Sequence, residues 1–479
     1  MKETKKGARF WLALTIFSLT GQIAWVVENM YFNVFIYKMF NASAEAISAM
    51  VAASAVAATL TTVVIGALSD KIGKRKLFIC GGYILWGISI CSFALIRLDV
   101  IGALFPSVAS AASLGISLVI VMDCVMTFFG SSANDACFNA WLTDATASGG
   151  RGAAEGINAM MPLVAILAVF GGFMGFNLDK RESWTAIFLI IGIAVIVIGI
   201  LGIFLISDPV VKSEENKSCF KNIIYGFRPS VIRDNKILYV VFLAFALFGI
   251  SIQIFMPYLI IYYEVSLKMA DYVFIMAPAI IIASVITALY GRVYDKHGFK
   301  KSVIPALSAL MAGYVLLFLF KNTALVFVGS LLMMSGYLAG MAVFGAMIRD
   351  YTPKNKAGMF QGLRIFSQVL IPGIIGPFIG AEVLKNAETM VGGDGTVFFI
   401  PNENIFLAAL IAAVVIWAVL FVIFRLTKKR GFKCKRTVIL QNLAQLIANL
   451  YPRCLGQFTP DPSLKEIAFS ALTAIGILR

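Results

Sequence analysis

Gly66-Ala67-Leu68-Ser69-Asp70-Lys71-Ile72-Gly73-Lys74-Arg75-Lys76 decides the reading of this 479-residue chain, because it returns 225 residues later. The second copy is Gly291-Arg292-Val293-Tyr294-Asp295-Lys296-His297-Gly298-Phe299-Lys300-Lys301. In both, a glycine precedes an aspartate by four residues, a second glycine follows by three, and basic residues close the stretch. Long apolar runs flank each copy, so each reads as a short charged connection between two membrane-crossing helices. A second pair agrees: Asp144 to Gly156 matches Asp350 to Gly362, 206 residues apart. The chain therefore reads as two related halves. Gly66, Gly73, Gly291 and Gly298 are expected to permit tight turns and close helix approach. Asp70 and Asp295 suit a neighbouring helix N-terminus. Lys74, Arg75 and Lys300 are expected to hold the connections at the headgroups. With Asp144, Arg151 and Asp350, these residues form the candidate gating loops.

Composition points the same way. Hydrophobic residues make up 60% of the chain and charged residues only 14%, against roughly half and a quarter in soluble domains. Apolar windows near 10–37, 46–68, 77–97, 111–142, 157–178, 183–206, 237–263, 270–290, 302–320, 324–348, 358–384 and 404–426 are each long enough to cross a hydrocarbon core of about 30 Å. Alternating strands of about ten residues, the mark of a membrane barrel, are missing. Pro106 marks a break ahead of the fourth span. The first span is too long for a signal-peptide core and is kept in the mature protein. The expectation is an all-α membrane protein of 12 transmembrane helices in two six-helix halves: 1–206, a linker at 207–236, and 237–426. A basic tail, 427–479, follows; in it Leu440, Leu443, Ile447 and Leu450 could line one face of an interfacial helix.

Of 40 basic residues, 29 fall in alternate connections and the termini, and only seven in the opposite set: Lys38, Arg97, Lys180, Arg181, Lys268, Lys321 and Lys385. This asymmetry predicts both termini in the cytoplasm, as an even number of spans requires. The net charge of +15 is then topology signal and attraction to anionic lipid, with no nucleic-acid partner. The seven cysteines and His297 form no metal-ligand spacing.

Ionisable groups inside spans are expensive and point to function. Three carboxyls qualify: Glu28, Asp123 and Asp135. Asp135 lies nine residues before Asp144, about 13 Å into the membrane at the helical rise, with Ser131, Ser132 and Asn139 on its face. A carboxyl there suits uptake and release of a coupling proton. Asp123 shares a face with Thr127, Gly130, Asn134 and Trp141. In the first span Ser18, Gln22, Trp25, Asn29 and Asn33 form a polar stripe, with Glu28 off one edge. Amides suit sugar hydroxyls and an indole can stack on a pyranose face; equally, amides bind membrane helices to one another. The substrate-contact candidates are Gln22, Trp25, Asn29, Asn33, Asn134, Asn139, Gln253 and Gln368. Arg364, six residues inside its span, is expected to snorkel to the cytoplasmic interface.

The repeated connection resembles the signature loop of the major facilitator superfamily. Within it, Asn134-Asp135-Ala136-Cys137-Phe138-Asn139-Ala140-Trp141-Leu142-Thr143-Asp144, followed by Arg151-Gly152, resembles the fourth helix and next loop of the glycoside–pentoside–hexuronide cation symporters and of sucrose–proton symporters. The resemblance spans roughly residues 10–426. It implies the superfamily's fold, a cell-membrane carrier that is no enzyme, and Asp135 at the position of the family's coupling aspartate. Sodium-coupled melibiose-type members carry acids in helix two, and span 46–68 has none. Protons are therefore expected as the coupling ion rather than sodium, and no cofactor.

The first expectation is a monomeric proton-coupled symporter for a sugar or glycoside. The second is a proton-driven efflux antiporter of amphipathic compounds, since Gly373-Ile374-Ile375-Gly376-Pro377-Phe378-Ile379-Gly380 has the character of the superfamily's antiporter motif. It stands in span eleven, however, and the family's motif stands in span five, where Gly171-Gly172-Phe173-Met174-Gly175 lacks the proline. A membrane-embedded enzyme has no nucleophile–base pair or phosphate loop to support it.

Overall fold

The computed structural model describes residues 7–106, 110–146, 151–207, 226–269, 272–352, 357–391 and 396–428. The tail from 429 and the linker stretch 208–225 lie outside the described residues, and with them the candidate interfacial helix. By packing, Met1–Leu420 forms one compact unit and Phe421–Arg479 a second. In the second, Thr427 closes the last turn of the described helix onto the Ile423 carbonyl at 2.9 Å.

Where no water reaches, backbone groups must bond within the segment, and helices do this. The helices are α1 (Ala8–Phe40), α2 (Ala44–Ile72), α3 (Arg75–Leu95), α4 (Ala111–Ala145), α5 (Arg151–Phe173), α6 (Arg181–Leu205) and α7 (Lys236–Ser266). The series continues with α8 (273–297), α9 (299–319), α10 (Thr323–Tyr351), α11 (357–384) and α12 (Asn404–Lys428). Short helices at Leu98–Leu104 and Pro229–Asp234 sit in the connections.

Twelve spans of similar hydropathy were the expectation. Among the described residues, ten helices are both long and apolar enough to cross, and two apolar stretches, Ile157–Phe173 and Val273–Thr287, are shorter. The cause is local: α5 begins in the polar stretch from Arg151 to Gly156, and α8 runs directly into Arg292 and the charges after it. Between α11 and α12 the sequence reading contained no strand. Here β1 (Thr389–Val391) and β2 (Val397–Phe399) pair antiparallel, Thr389 opposite Phe399.

The repeated stretches are not loops along their whole length. Residues 66–72 are the last turns of α2, and only Gly73, at φ 70°, turns the chain. Likewise 291–297 are helical, and the break falls on Gly298 at φ 74°. Both glycines hold a conformation that costs L-residues about 1 kcal/mol or more, and each lies where its helix ends. Close approach at Gly66 and Gly291 is not found: a Cβ at Gly66 would meet only Ala136 Cβ at 3.9 Å, and one at Gly291 would meet nothing.

Close packing is achieved elsewhere. On α3 and α6, a Cβ at Gly87 would sit 2.5 Å from the Gly192 carbonyl, and one at Gly192 would sit 2.7 Å from the Gly87 carbonyl. On α9 and α10, a Cβ at Gly336 would sit 2.7 Å from the Ala306 carbonyl. Small residues bring these backbones together, and dispersion replaces the hydrophobic force that lipid cannot supply.

Side-chain contacts join the first six helices to the last six where α1 ends and α2, α8 and α12 begin. Lys38, at the end of α1, pairs with Glu264 of α7 and, at 2.9 Å, with Asp179. Tyr37 donates to the Phe399 carbonyl at 2.7 Å, Tyr258 donates to the Ala44 carbonyl at 3.0 Å, and the Tyr31 and Tyr272 hydroxyls lie 3.3 Å apart. In this conformation that end of the bundle is closed.

Gly192→Val should place a branched side chain against backbone that cannot yield. Overpacking of this kind costs about 1–3 kcal/mol and occasionally more; thermal unfolding of the purified protein should show a clearly lowered midpoint. Gly291→Ala, by contrast, should leave it unchanged.

Candidate functional site

Two helices depart from regular geometry where the acids lie. α1 widens into a π-turn at Val27–Tyr31, and α4 does so over Ser131–Phe138. Such insertions shift the face that later residues present and occur often at functional sites. A wheel drawn at 100° per residue cannot show this. It put Glu28 at the edge of the polar stripe; the structure instead turns Glu28 into the junction of α1, α2 and α4.

There Glu28 Oε1 accepts from Ser54 at 2.7 Å and from Thr127 at 2.8 Å. The two hydroxyl oxygens lie 2.9 Å apart. Glu28 is 6% exposed and Asp123 2%. Among the described residues, Glu28 Oε2 and Asp123 Oδ1 find no hydrogen-bond partner. Ser54 was not a candidate. It stands alone in the alanine-rich run Val51-Ala52-Ala53-Ser54-Ala55, and no sequence signal separates it from the other small residues that line membrane helices.

Asp135 is only partly buried. Its Oδ2 accepts from Ser131 at 3.0 Å, and Asn139 Nδ2 donates to the Asp135 backbone carbonyl at 3.1 Å. The Trp25 indole lies beside the Asp135 carboxyl and its ring centre is 5.1 Å from that of Trp86. Asn139 and Asn29 are exposed, Gln22 and Trp25 half-buried. With Asp135, these are the less buried of the sequence-predicted coupling and substrate-contact residues of the first six helices.

Two of the amide candidates, Asn33 and Asn134, are placed differently. Asn33 is fully buried and donates to the Asn29 carbonyl at 3.0 Å, and Asn29 donates to the Trp25 carbonyl at 2.7 Å. Both amides therefore bond their own helix four residues back, as short polar side chains do; Asn33 is structural here, while Asn29 keeps an exposed face. Asn134 is 4% exposed and packs on Gly21, where a Cβ would sit 1.7 Å from its Nδ2. It wedges α4 against α1 rather than facing open space. The polar stripe also bonds sideways: Ser18 donates to Asn158 Oδ1 of α5 at 2.5 Å.

In the last six helices, Gln253 is half-buried against Gly376 of α11. Arg364, expected to snorkel to the interface, donates from Nε to Gln368 Oε1 at 3.3 Å. No described contact brings Gln253 or Gln368 to the acids.

At the other end, the signature residues assemble around one side chain. Arg75 is 7% exposed. It bonds Asp144 at 2.6 Å, Asp70 at 2.7 Å and Ser69 at 2.9 Å. The expectation that Arg75 anchors to headgroups is corrected: it is a buried clamp joining α2, α3 and α4, because three acceptors converge on the planar guanidinium. Lys74 remains exposed. Asp70 therefore pairs with a side chain rather than with a helix end. In the second copy, Tyr294 donates to Asp350 Oδ2 at 2.5 Å, and Asp295 is exposed. The side chain of Arg151 lies outside the described residues.

Arg75→Ala should strand Asp144 and Ser69; losing one partner of a buried polar group costs about 1–3 kcal/mol, more when charged. Asp70→Asn, on the exposed side of the clamp, should cost less than about 1 kcal/mol. Denaturation of the two variants side by side checks the order. Lys38→Met should loosen the closed end: a loss of about 1.4 kcal/mol would raise the open population about tenfold, read as faster maleimide labelling of a cysteine placed at Tyr37.

No curated protein sequence matches the chain. Its structure is similar to the crystal structure of a point mutant of the nucleoside transporter NupG, with TM-score 0.67, 13% identity, and 86% of this chain covering 99% of that one. It is similar to an inward-facing, unoccupied bacterial homolog of the human lysosomal transporter Spinster, with TM-score 0.64, 17% identity, and 88% covering 98%. The partially occluded inward-open xylose transporter XylE from E. coli gives TM-score 0.60, 15% identity, and 86% covering 98%. At these identities the likeness is one of fold. Residues 10–377 match the family model of the Major Facilitator Superfamily; the chain belongs to that superfamily and is a multi-pass membrane secondary transporter, not an enzyme.

Proposed function

We propose that this transporter carries a sugar or glycoside in symport with protons, by alternating access of the bodies 1–206 and 237–426, in the cell membrane and as a monomer with both termini cytoplasmic. The observation that carries the reading is Asp135. It is a carboxyl within a span, on a residue of intermediate burial, flanked by Trp25 and close in the helix to the exposed residue Asn139. An acid beside a flat indole and amides offers one site for a proton and one for a hydroxyl-rich ring. Asp135 is the proposed coupling group, with Asp123 and Glu28 as further acids. Gln22, Trp25, Asn29 and Asn139 are the proposed contacts on one side, and Gln253 and Gln368 on the other.

The glycoside–pentoside–hexuronide resemblance of the fourth helix supports a sugar. Similarity in fold to transporters named for xylose and for nucleosides is compatible with a solute carrying several hydroxyls. The Gly-Pro run of α11 lends the antiporter reading no weight, because its glycines are packing surfaces: a Cβ at Gly376 would meet Gln253 Cβ at 2.5 Å, and one at Gly380 the Ile254 carbonyl at 2.3 Å.

Coupling requires that proton and solute favour the same conformation. Proteoliposomes with an imposed pH gradient should accumulate a labelled disaccharide. Asp135→Asn should abolish accumulation while sparing energy-independent exchange. A wild-type protein that takes up neither disaccharides nor nucleosides, yet confers drug resistance on expression, would overturn symport. Proton-driven accumulation by Asp135→Asn would overturn the role of Asp135.

A further inference from the structure

Glu28 Oε1, Ser54 Oγ and Thr127 Oγ1 form a triangle of oxygens with edges of 2.7, 2.8 and 2.9 Å. Each edge is of hydrogen-bond length, and each needs a proton. The two hydroxyls supply two, because a hydroxyl donates once. With Glu28 ionised, one edge would be a bare contact of lone pairs in a buried site. A proton on Oε1 supplies the third donor, and each oxygen then donates once and accepts once around the ring.

A metal ion fits these distances poorly. An ion of calcium's size, which sodium nearly matches, stands about 2.3–2.6 Å from its oxygens and would spread ligands at right angles to roughly 3.3 Å or more. Magnesium is smaller but keeps several waters, whereas these three oxygens stand at hydrogen-bond distance from one another. Among the described residues, neither Glu28 nor Asp123 forms an ion pair with lysine or arginine. The ionisable groups that act on Glu28 and Asp123 are each other, Asp135 and Cys124, all from α1 and α4, while α2 contributes Ser54.

We propose that Glu28 holds a proton in this conformation, closed into a ring by Ser54 and Thr127, with Asp123 as its neighbouring carboxyl. The proton site so formed is separate from Asp135. The two unpartnered oxygens, Glu28 Oε2 and Asp123 Oδ1, mark where that site has capacity left. Because the ring joins α1, α2 and α4, losing the proton breaks a contact among three helices, whereas Asp135 accepts from Ser131 of its own helix. The transporter thus carries two protonatable centres of different kinds. This deepens the proton-coupling reading, but it is tested without any transported solute, so the two can fail separately.

The test is infrared difference spectroscopy of the full-length protein in nanodiscs, stepped in pH, in H2O and D2O. The wild type should show two protonated-carboxyl bands that shift on deuteration. Glu28→Gln should lose one and Asp135→Asn the other. Thr127→Val should move the Glu28 band and leave the Asp135 band in place, and it carries the test should Glu28→Gln not fold. Identical carboxyl bands in the wild type and Glu28→Gln, or an unmoved band in Thr127→Val, would overturn the proposal. So would loss of the Glu28 band on adding NaCl or MgCl2 at fixed pH, which would make the site a metal site.

Discussion

A polar group inside the bilayer must find its partner within the protein. That constraint shapes every part of this transporter. It makes the backbone helical throughout the spans, and it acts again on side chains. Polar groups in the spans are bonded back to their own helix, as Asn29 and Asn33 are, or gathered with others, as Glu28, Ser54 and Thr127 are. Asp135 is bonded within its helix as well, to Ser131, but it and Asn139 are less buried than Glu28, Asn33 and Thr127.

Helix irregularity and chemistry coincide here. The two widened turns described among the first six helices lie at Glu28 and at Asp135. A π-turn costs hydrogen-bond geometry, so it persists only where packing or function holds it. In α1 Glu28 lies within the widened turn and bonds Ser54 of α2 and Thr127 of α4. In α4 the widened turn contains Asn134 and Asp135, which are neighbours in sequence yet differ in burial. One wedges against Gly21; the other is the less buried residue.

The two ends of the bundle are held by different means. Where α2 meets α3, Arg75 gathers Asp70, Asp144 and Ser69 into one buried network within the first six helices. At the opposite end, Lys38, Tyr31, Tyr37 and Tyr258 reach across to the last six. Contacts of the first kind stiffen a group of helices; contacts of the second kind must break for that end to open. Among the described residues a handful of polar bonds carry the second task, which suits an end that exchanges states.

Read one segment at a time, the chain already declares itself a helical membrane protein, shows where most spans fall, and offers the four glycines of its repeated stretches as turn candidates. Apolar length and the exclusion of L-residues from positive φ are local properties, so they need no knowledge of neighbours. The three acids were legible too, because a carboxyl within an apolar run is conspicuous without any partner. What those acids touch came only from the packing of helices. Ser54 became a partner of Glu28, and Arg75 a clamp rather than a headgroup anchor. Asn33 and Asn134 became packing residues, and Arg364 turned toward Gln368. Each outcome depends on which helix faces which and on two inserted turns that shift the wheel, and the spacing of residues along a single helix encodes neither.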